Sequence, residues 1–174
     1  MQPDELLKKV KDFKESDKVD LSSKEDLAVA VMNLIGIEEH LFFTYNKTGK
    51  EKYLELLNEA RELRKKYLAQ IVKNPEGEIW CISKHLLSSS MRLMEVGTKK
   101  LNEGKKQEAK DLFEKGYELW NIFWGLNLNL IDVEDVKAAD DDKDPEINLD
   151  KGEKVSVFAK LGKTIQKILD CCKE

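Results

Sequence analysis

Asn46-Lys47-Thr48-Gly49-Lys50-Glu51-Lys52-Tyr53 decides the fold, because it sets a glycine turn between two long stretches of helical periodicity. Before it, Leu27, Val31, Leu34, Leu41 and Tyr45 recur at helical intervals; after it, Tyr53, Leu57, Ala60, Tyr67, Leu68 and Ile71 do the same. That spacing collects apolar side chains on one face of an α-helix. Thr48 and Glu51 stand as in a capping box, in which the threonine hydroxyl accepts from the Glu51 amide while Glu51 reaches back. The two helices are expected over about residues 22–46 and 50–73. Ser22-Ser23-Lys24-Glu25, a second capping box, opens the first, and Asn74-Pro75-Glu76-Gly77 stops the second, since proline cannot donate to the helical ladder.

A second hairpin follows, turning at Gly104. Its first helix, about 78–102, has a broad apolar face of Ile79, Trp80, Ile82, Leu86, Leu87, Leu93 and Met94, and is expected to be the most buried of the four. Ser83, Ser90 and Gly97 run along it at heptad spacing and would let a neighbouring backbone approach closely. The last long helix, about 105–126, presents Leu112, Phe113, Gly116, Leu119, Trp120 and Phe123, with Trp124 at its edge and aromatics to fill the space opposite the small residues. Residues 56–63 and 112–119 echo each other, a hint of a duplicated hairpin.

The flanks differ in character. Leu6, Leu7, Val10 and Phe13 predict a short N-terminal docking helix over 4–14. Residues 132–153 read as a solvated acidic linker built around Asp140-Asp141-Asp142-Lys143-Asp144-Pro145. Residues 154–174 predict an amphipathic helix with Phe158, Leu161, Ile165, Leu169 and Cys172 on one face and Lys160, Lys163 and Lys167 on the other. The expected protein is therefore all-α: a bundle of four long antiparallel helices over 1–131, with its short N-terminal helix, the linker, and a C-terminal helix expected to dock on the bundle.

Composition narrows the function. Charged residues make up 37% of the 174, with a net charge of −4, and arginine occurs only as Arg61, Arg64 and Arg92. A nucleic-acid binder needs a basic stripe that releases counterions, so that class is not expected. The N-terminal residues show no basic region followed by an apolar stretch, and the apolar run 27–37 is interrupted by Asn33 and followed by Glu38-Glu39-His40. No secretory signal and no transmembrane segment are therefore expected. Cys81, Cys171 and Cys172 cannot all pair within the chain and lack zinc spacing, which suits a soluble protein of the reducing cytoplasm.

Four constellations bear on chemistry. Glu38 interrupts the apolar face of the first helix and Arg64 that of the second; across a turn at Gly49 they fall about one helical turn, about 6 Å, apart. They are expected to pair, fixing hairpin register, or, with Tyr67, to form a polar point that binds a small ligand or does acid–base chemistry. Cys81, His85, Ser88 and Arg92 form a stripe on the third helix that lacks a second pair of metal ligands and reads as its solvent face, and His40 reads as a surface histidine. Asp140, Asp142 and Asp144 alternate as in the start of an EF-hand loop, but Pro145 stands where glycine is required and Lys151 where the bidentate glutamate belongs. No Glu-x-x-His occurs, so a di-iron bundle is not expected, and neither metal nor cofactor is implied. The expected function is a non-enzymatic helical interaction or scaffold protein, with Phe158, Leu161, Ile165 and Leu169 addressing a partner; the alternative is a ligand-binding or enzymatic bundle centred on Glu38, Arg64 and Tyr67.

Overall fold

A computed structural model describes residues 21–73 and 77–132, together with 8, 9 and 12. The fold is all-α, with no strand among these residues. Four helices follow in order: α1 (Ser22–Thr48), α2 (Lys52–Ile71), α3 (Glu78–Asn102) and α4 (Lys106–Asn127). Lys8, Lys9 and Asp12 are helical; the rest of the expected N-terminal helix, the acidic linker and the C-terminal segment with Phe158, Leu161, Ile165 and Leu169 lie outside the described residues.

The first turn is built differently from the capping box the sequence predicts. Gly49 adopts φ 65°, a left-handed conformation natural to glycine, and its amide donates to Tyr45 O at 2.7 Å, closing α1. Thr48 is thereby drawn into the end of α1, where its hydroxyl donates to Thr44 O at 2.8 Å, and Glu51 makes no side-chain cap. At the start of α1 the N-cap position falls to Leu21 rather than a serine, and Glu25 N–H donates to Leu21 O at 2.9 Å. Leu21 is buried, so packing holds this end in place of a side-chain cap.

The second hairpin ends α3 in a Schellman motif. Gly104, at φ 78°, donates to Leu101 O, and Lys105 N–H reaches back to Lys100 O, both at 3.0 Å. The same motif closes α4 around Asn129, at φ 57°: Asn129 N–H donates to Leu126 O and Leu130 N–H to Gly125 O. Leu130, 2% exposed, then turns into the core, which is the apolar contact this motif commonly carries. α2 stops two residues earlier than the sequence suggests, because Val72 becomes extended and sinks fully into the core.

α1 packs on α2 and α3 on α4, while the hairpins meet chiefly through α1 and α3. The core gathers at the end away from both turns, from Leu21, Ala28, Val31, Leu68, Ile71, Val72, Leu86, Leu87, Ile122, Phe123, Trp124, Leu126, Leu130 and Ile131. The most buried stretch is thus the last turns of α4, where residues 121–126 are all buried, and not α3; Trp124, expected at an edge, is fully enclosed. Toward the turns Phe42, Phe43, Leu54 and Leu101 are exposed.

α1 is more apolar than one buried stripe requires. It is the one helix among the described residues long and apolar enough to cross a membrane, and few of its residues are buried. Glu38-Glu39-His40 interrupts the apolar run without ending it, since apolar residues resume with Leu41, Phe42 and Phe43.

Candidate functional site: a methionine-lined cleft between the hairpins

Because the hairpins meet along α1 and α3, the faces beside that seam stand apart as a cleft. Val29 and Met32 of α1 form one wall; Ser90, Met91 and Met94 of α3 form the floor; Phe113, Gly116, Tyr117 and Trp120 of α4 form the other wall, around a cavity of about 380 Å³. The chain has four methionines, and the three beyond Met1 all line this cavity. Methionine is unbranched and polarizable, so a floor of methionines fits apolar partners of varied shape. Met94, which periodicity places on the buried face, is 52% exposed here, and Tyr117 is 44% exposed.

The α4 wall is aromatic by contrast. Trp120 stacks on Phe123 with ring centroids 6.0 Å apart and meets Trp124 edge-on at 5.8 Å, which ties the exposed wall to the closed core. Below it, α3 and α4 are in close contact along the line of small residues. A Cβ added at Gly97 would lie 2.6 Å from the Phe113 ring, and one at Gly116 would lie 3.2 Å from the Ser90 carbonyl oxygen. Ser90 donates its hydroxyl to Gly116 O at 2.7 Å, and Asn127 donates to the Ser83 hydroxyl at 3.0 Å, so the expected close approach at Ser83, Ser90 and Gly97 is present.

Toward the turns the cleft becomes polar. Asn33, Gly36, Ile37, Glu39, His40 and Phe43 of α1 face Met91, Arg92 and Glu95 of α3 around a second space of about 450 Å³. Arg92 bridges the helices, donating to Glu39 of α1 and, at 2.7 Å, to Glu95 of its own helix. All three are well exposed, so the bridge orients the helices more than it stabilises them.

The Glu38, Arg64 and Tyr67 constellation singled out from sequence falls elsewhere. Arg64 reaches Glu38 in a two-pronged contact, Nε to Oε1 at 2.7 Å and Nη2 to Oε2 at 3.3 Å, with the two side chains 5% and 17% exposed. The pair joins α1 to α2 on the side away from the cleft. Neither space between the hairpins is lined by Glu38, Arg64 or Tyr67, and Tyr67 packs half-buried against the core. Of the stripe on α3, Cys81, His85 and Arg92 are exposed while Ser88 is half-buried, and His40 is exposed; Arg92 and His40 line the second space. Among the described residues no three metal-ligating side chains converge. Asn121 Oδ1 and Trp124 Nε1 are buried without a hydrogen-bond partner among the described residues.

Sequence periodicity misses the cleft because it assigns each helix a single apolar face. The signal that could have found it is the surplus on α1, where Val29, Ile37, Phe42 and Phe43 lie off the stripe facing α2, together with three methionines clustered on two helices. Comparison of the chain with protein-family models, with curated proteins and with solved structures finds no significant match.

Proposed function

We propose that this chain is a non-enzymatic helical interaction module, whose four helices form an antiparallel bundle that holds the methionine-lined cleft open to an amphipathic helix. One observation carries the reading: Met32, Met91 and Met94 converge with Phe113, Tyr117 and Trp120 on one open apolar cavity. Helix-in-groove recognition uses such a surface, with a flexible apolar floor and aromatic walls that bury large area at low entropic cost. Aromatic and methionine side chains are also those enriched at the centres of protein interfaces. A small-molecule enzyme site would instead need convergent polar groups of perturbed acidity, whereas this cavity is lined mainly by apolar side chains. The proposed setting is the cytoplasm, on the strength of the cysteine pattern.

The test is photo-crosslinking in the native host, with a photoreactive residue in place of Met94 and, as a control, in place of Lys110 on the outer face of α4, whose side chain is 67% exposed. Protein adducts specific to the Met94 position are expected. Absence of such adducts, with small molecules or lipid recovered instead, would overturn the reading.

A further inference from the structure

We infer that the end of the bundle carrying both glycine turns is a docking face for an anionic lipid bilayer, which it meets with unpaired lysines and a few exposed apolar side chains. Both turns lie at this end. Glu39 and Arg92, ten residues before Gly49 and twelve before Gly104, meet across the gap between α1 and α3, so these helices run in parallel and the two tips reach nearly the same level. The face stands apart from the apolar cleft, whose lining residue nearest a turn in sequence, Phe113, is nine positions from Gly104, so it is independent of whatever the cleft receives.

Charge is sorted along the long axis. Residues 43–55 and 98–110, six on either side of each turn glycine, carry eight lysines against four glutamates, a formal +4. The remainder of 21–132 carries nine basic against thirteen acidic residues, a formal −4. α1 is about 40 Å long by helix rise, several times the screening length of about 8 Å at physiological salt, so an anionic surface at the turns feels the lysines and little of the opposite excess farther back. Five of the eight are free to act. Lys47, Lys50, Lys52, Lys99 and Lys106 are exposed and form no ion pair among the described residues, whereas Lys100 and Lys105 are engaged by Glu103 and Glu108, and Lys110 by Glu114.

The chemistry of the face selects a bilayer over a nucleic acid. All eight cations are lysines, and none is the arginine whose planar fork reads phosphate and guanine edges. A point charge on a flexible stem suits a fluid surface of headgroups instead. Among these lysines Leu54 and Leu101 are 41% and 47% exposed, and Phe42 and Phe43, edge to face at 5.3 Å, stand exposed about two turns before Gly49. Leucines gain little from a sugar–phosphate backbone. At a bilayer they enter the boundary between headgroups and acyl chains, while the lysine stems let the ammonium groups stay at headgroup level.

The test is flotation of the full chain with vesicles of phosphatidylcholine containing about 30% phosphatidylserine, against vesicles of phosphatidylcholine alone. Binding is expected to the anionic vesicles only, and should fall as salt is added. Lys50→Glu, Lys99→Glu and Lys106→Glu together should lower the affinity about a hundredfold or more, at about fivefold for each lysine at an anionic surface. Arg61→Glu, Lys66→Glu and Lys73→Glu change the net charge equally, at exposed positions away from the turns, and should lower it far less. Leu54→Ser with Leu101→Ser should weaken binding at constant charge. All these positions are exposed, and unchanged circular dichroism of each variant shows that the fold is kept. No binding, equal binding to both kinds of vesicle, or equal losses in the two charge-reversed variants would overturn the docking face. Retention on vesicles at high salt would show that apolar α1 inserts in place of lysine contact, and would overturn it too. Binding of a DNA duplex or of polyglutamate without binding of anionic vesicles would name a nucleic acid or an acidic protein as the partner and overturn it equally.

Discussion

The two hairpins solve one problem, holding a pair of helices in register, by opposite means. α1 and α2 use a charged pair: Glu38 and Arg64 sit at the centres of facing apolar stripes, and each is tolerable there because the other neutralises it. α3 and α4 use closeness: glycine and serine on one helix admit an aromatic ring or a backbone from the other. A charged pair can be removed as a unit, since desolvation offsets much of its attraction. A steric fit has no such symmetry, because added volume must go somewhere. The first device fixes register at little net gain, while the second also holds the α4 wall of the cleft against α3.

That contrast is open to direct attack. Gly97→Leu should have the largest effect, about 3 kcal/mol of destabilisation, because even the first carbon of the new side chain meets the Phe113 ring at 2.6 Å. Phe113→Ala in the same chain should recover part of the loss; a thermal melt in which Gly97→Leu alone resembles the parent would remove the close-contact account. Glu38→Gln or Arg64→Met alone should cost about 2–3 kcal/mol, somewhat below the range for a fully enclosed pair because Glu38 is 17% exposed. Glu38→Leu with Arg64→Met should cost less than either single change. Additive losses in denaturant titrations would show that the two side chains do not act as a pair.

The smallest effect belongs to the second turn. Lys105 donates to Glu103 and, with Lys100, holds its carboxyl below the ordinary value of 4.5, while Glu103 raises the Lys105 ammonium. A carboxylate with a depressed folded value contributes stability above its unfolded value and loses it as pH falls through the folded one. The advantage of the parent over Glu103→Gln should therefore be present at neutral pH and fade below about 4.5, and both groups are exposed, so it is small and screened by salt. An advantage that grew on acidification would contradict the assignment.

What is legible in the sequence and what is hidden follow from the range of each interaction. Helix extents are legible, α3 to the residue, because glycine turns and periodicity are local signals. The Glu38–Arg64 pair is legible because one turn of known place sets the pairing of two adjacent helices. Thr48 misleads because two local motifs compete for it, and the glycine termination of α1 prevails over the threonine start of α2. The burial of Trp124 and the exposure of Met94 depend on how one hairpin meets the other, which no single helix encodes. The cleft is a product of that same meeting, and only the excess of apolar residues on α1 announces it.

The gathering of the core at one end has a mechanical consequence. Each hairpin is a lever with its fulcrum among Leu68, Leu87, Phe123 and Trp124 and its tip at a glycine turn. With α1 about 40 Å long by helix rise, a rotation of about 5° at the fulcrum carries the Gly49 tip through about 3 Å. Any such rotation would be magnified into a change in gape toward the turns, and part-way along the gap the exposed side chain of Arg92 reaches Glu39.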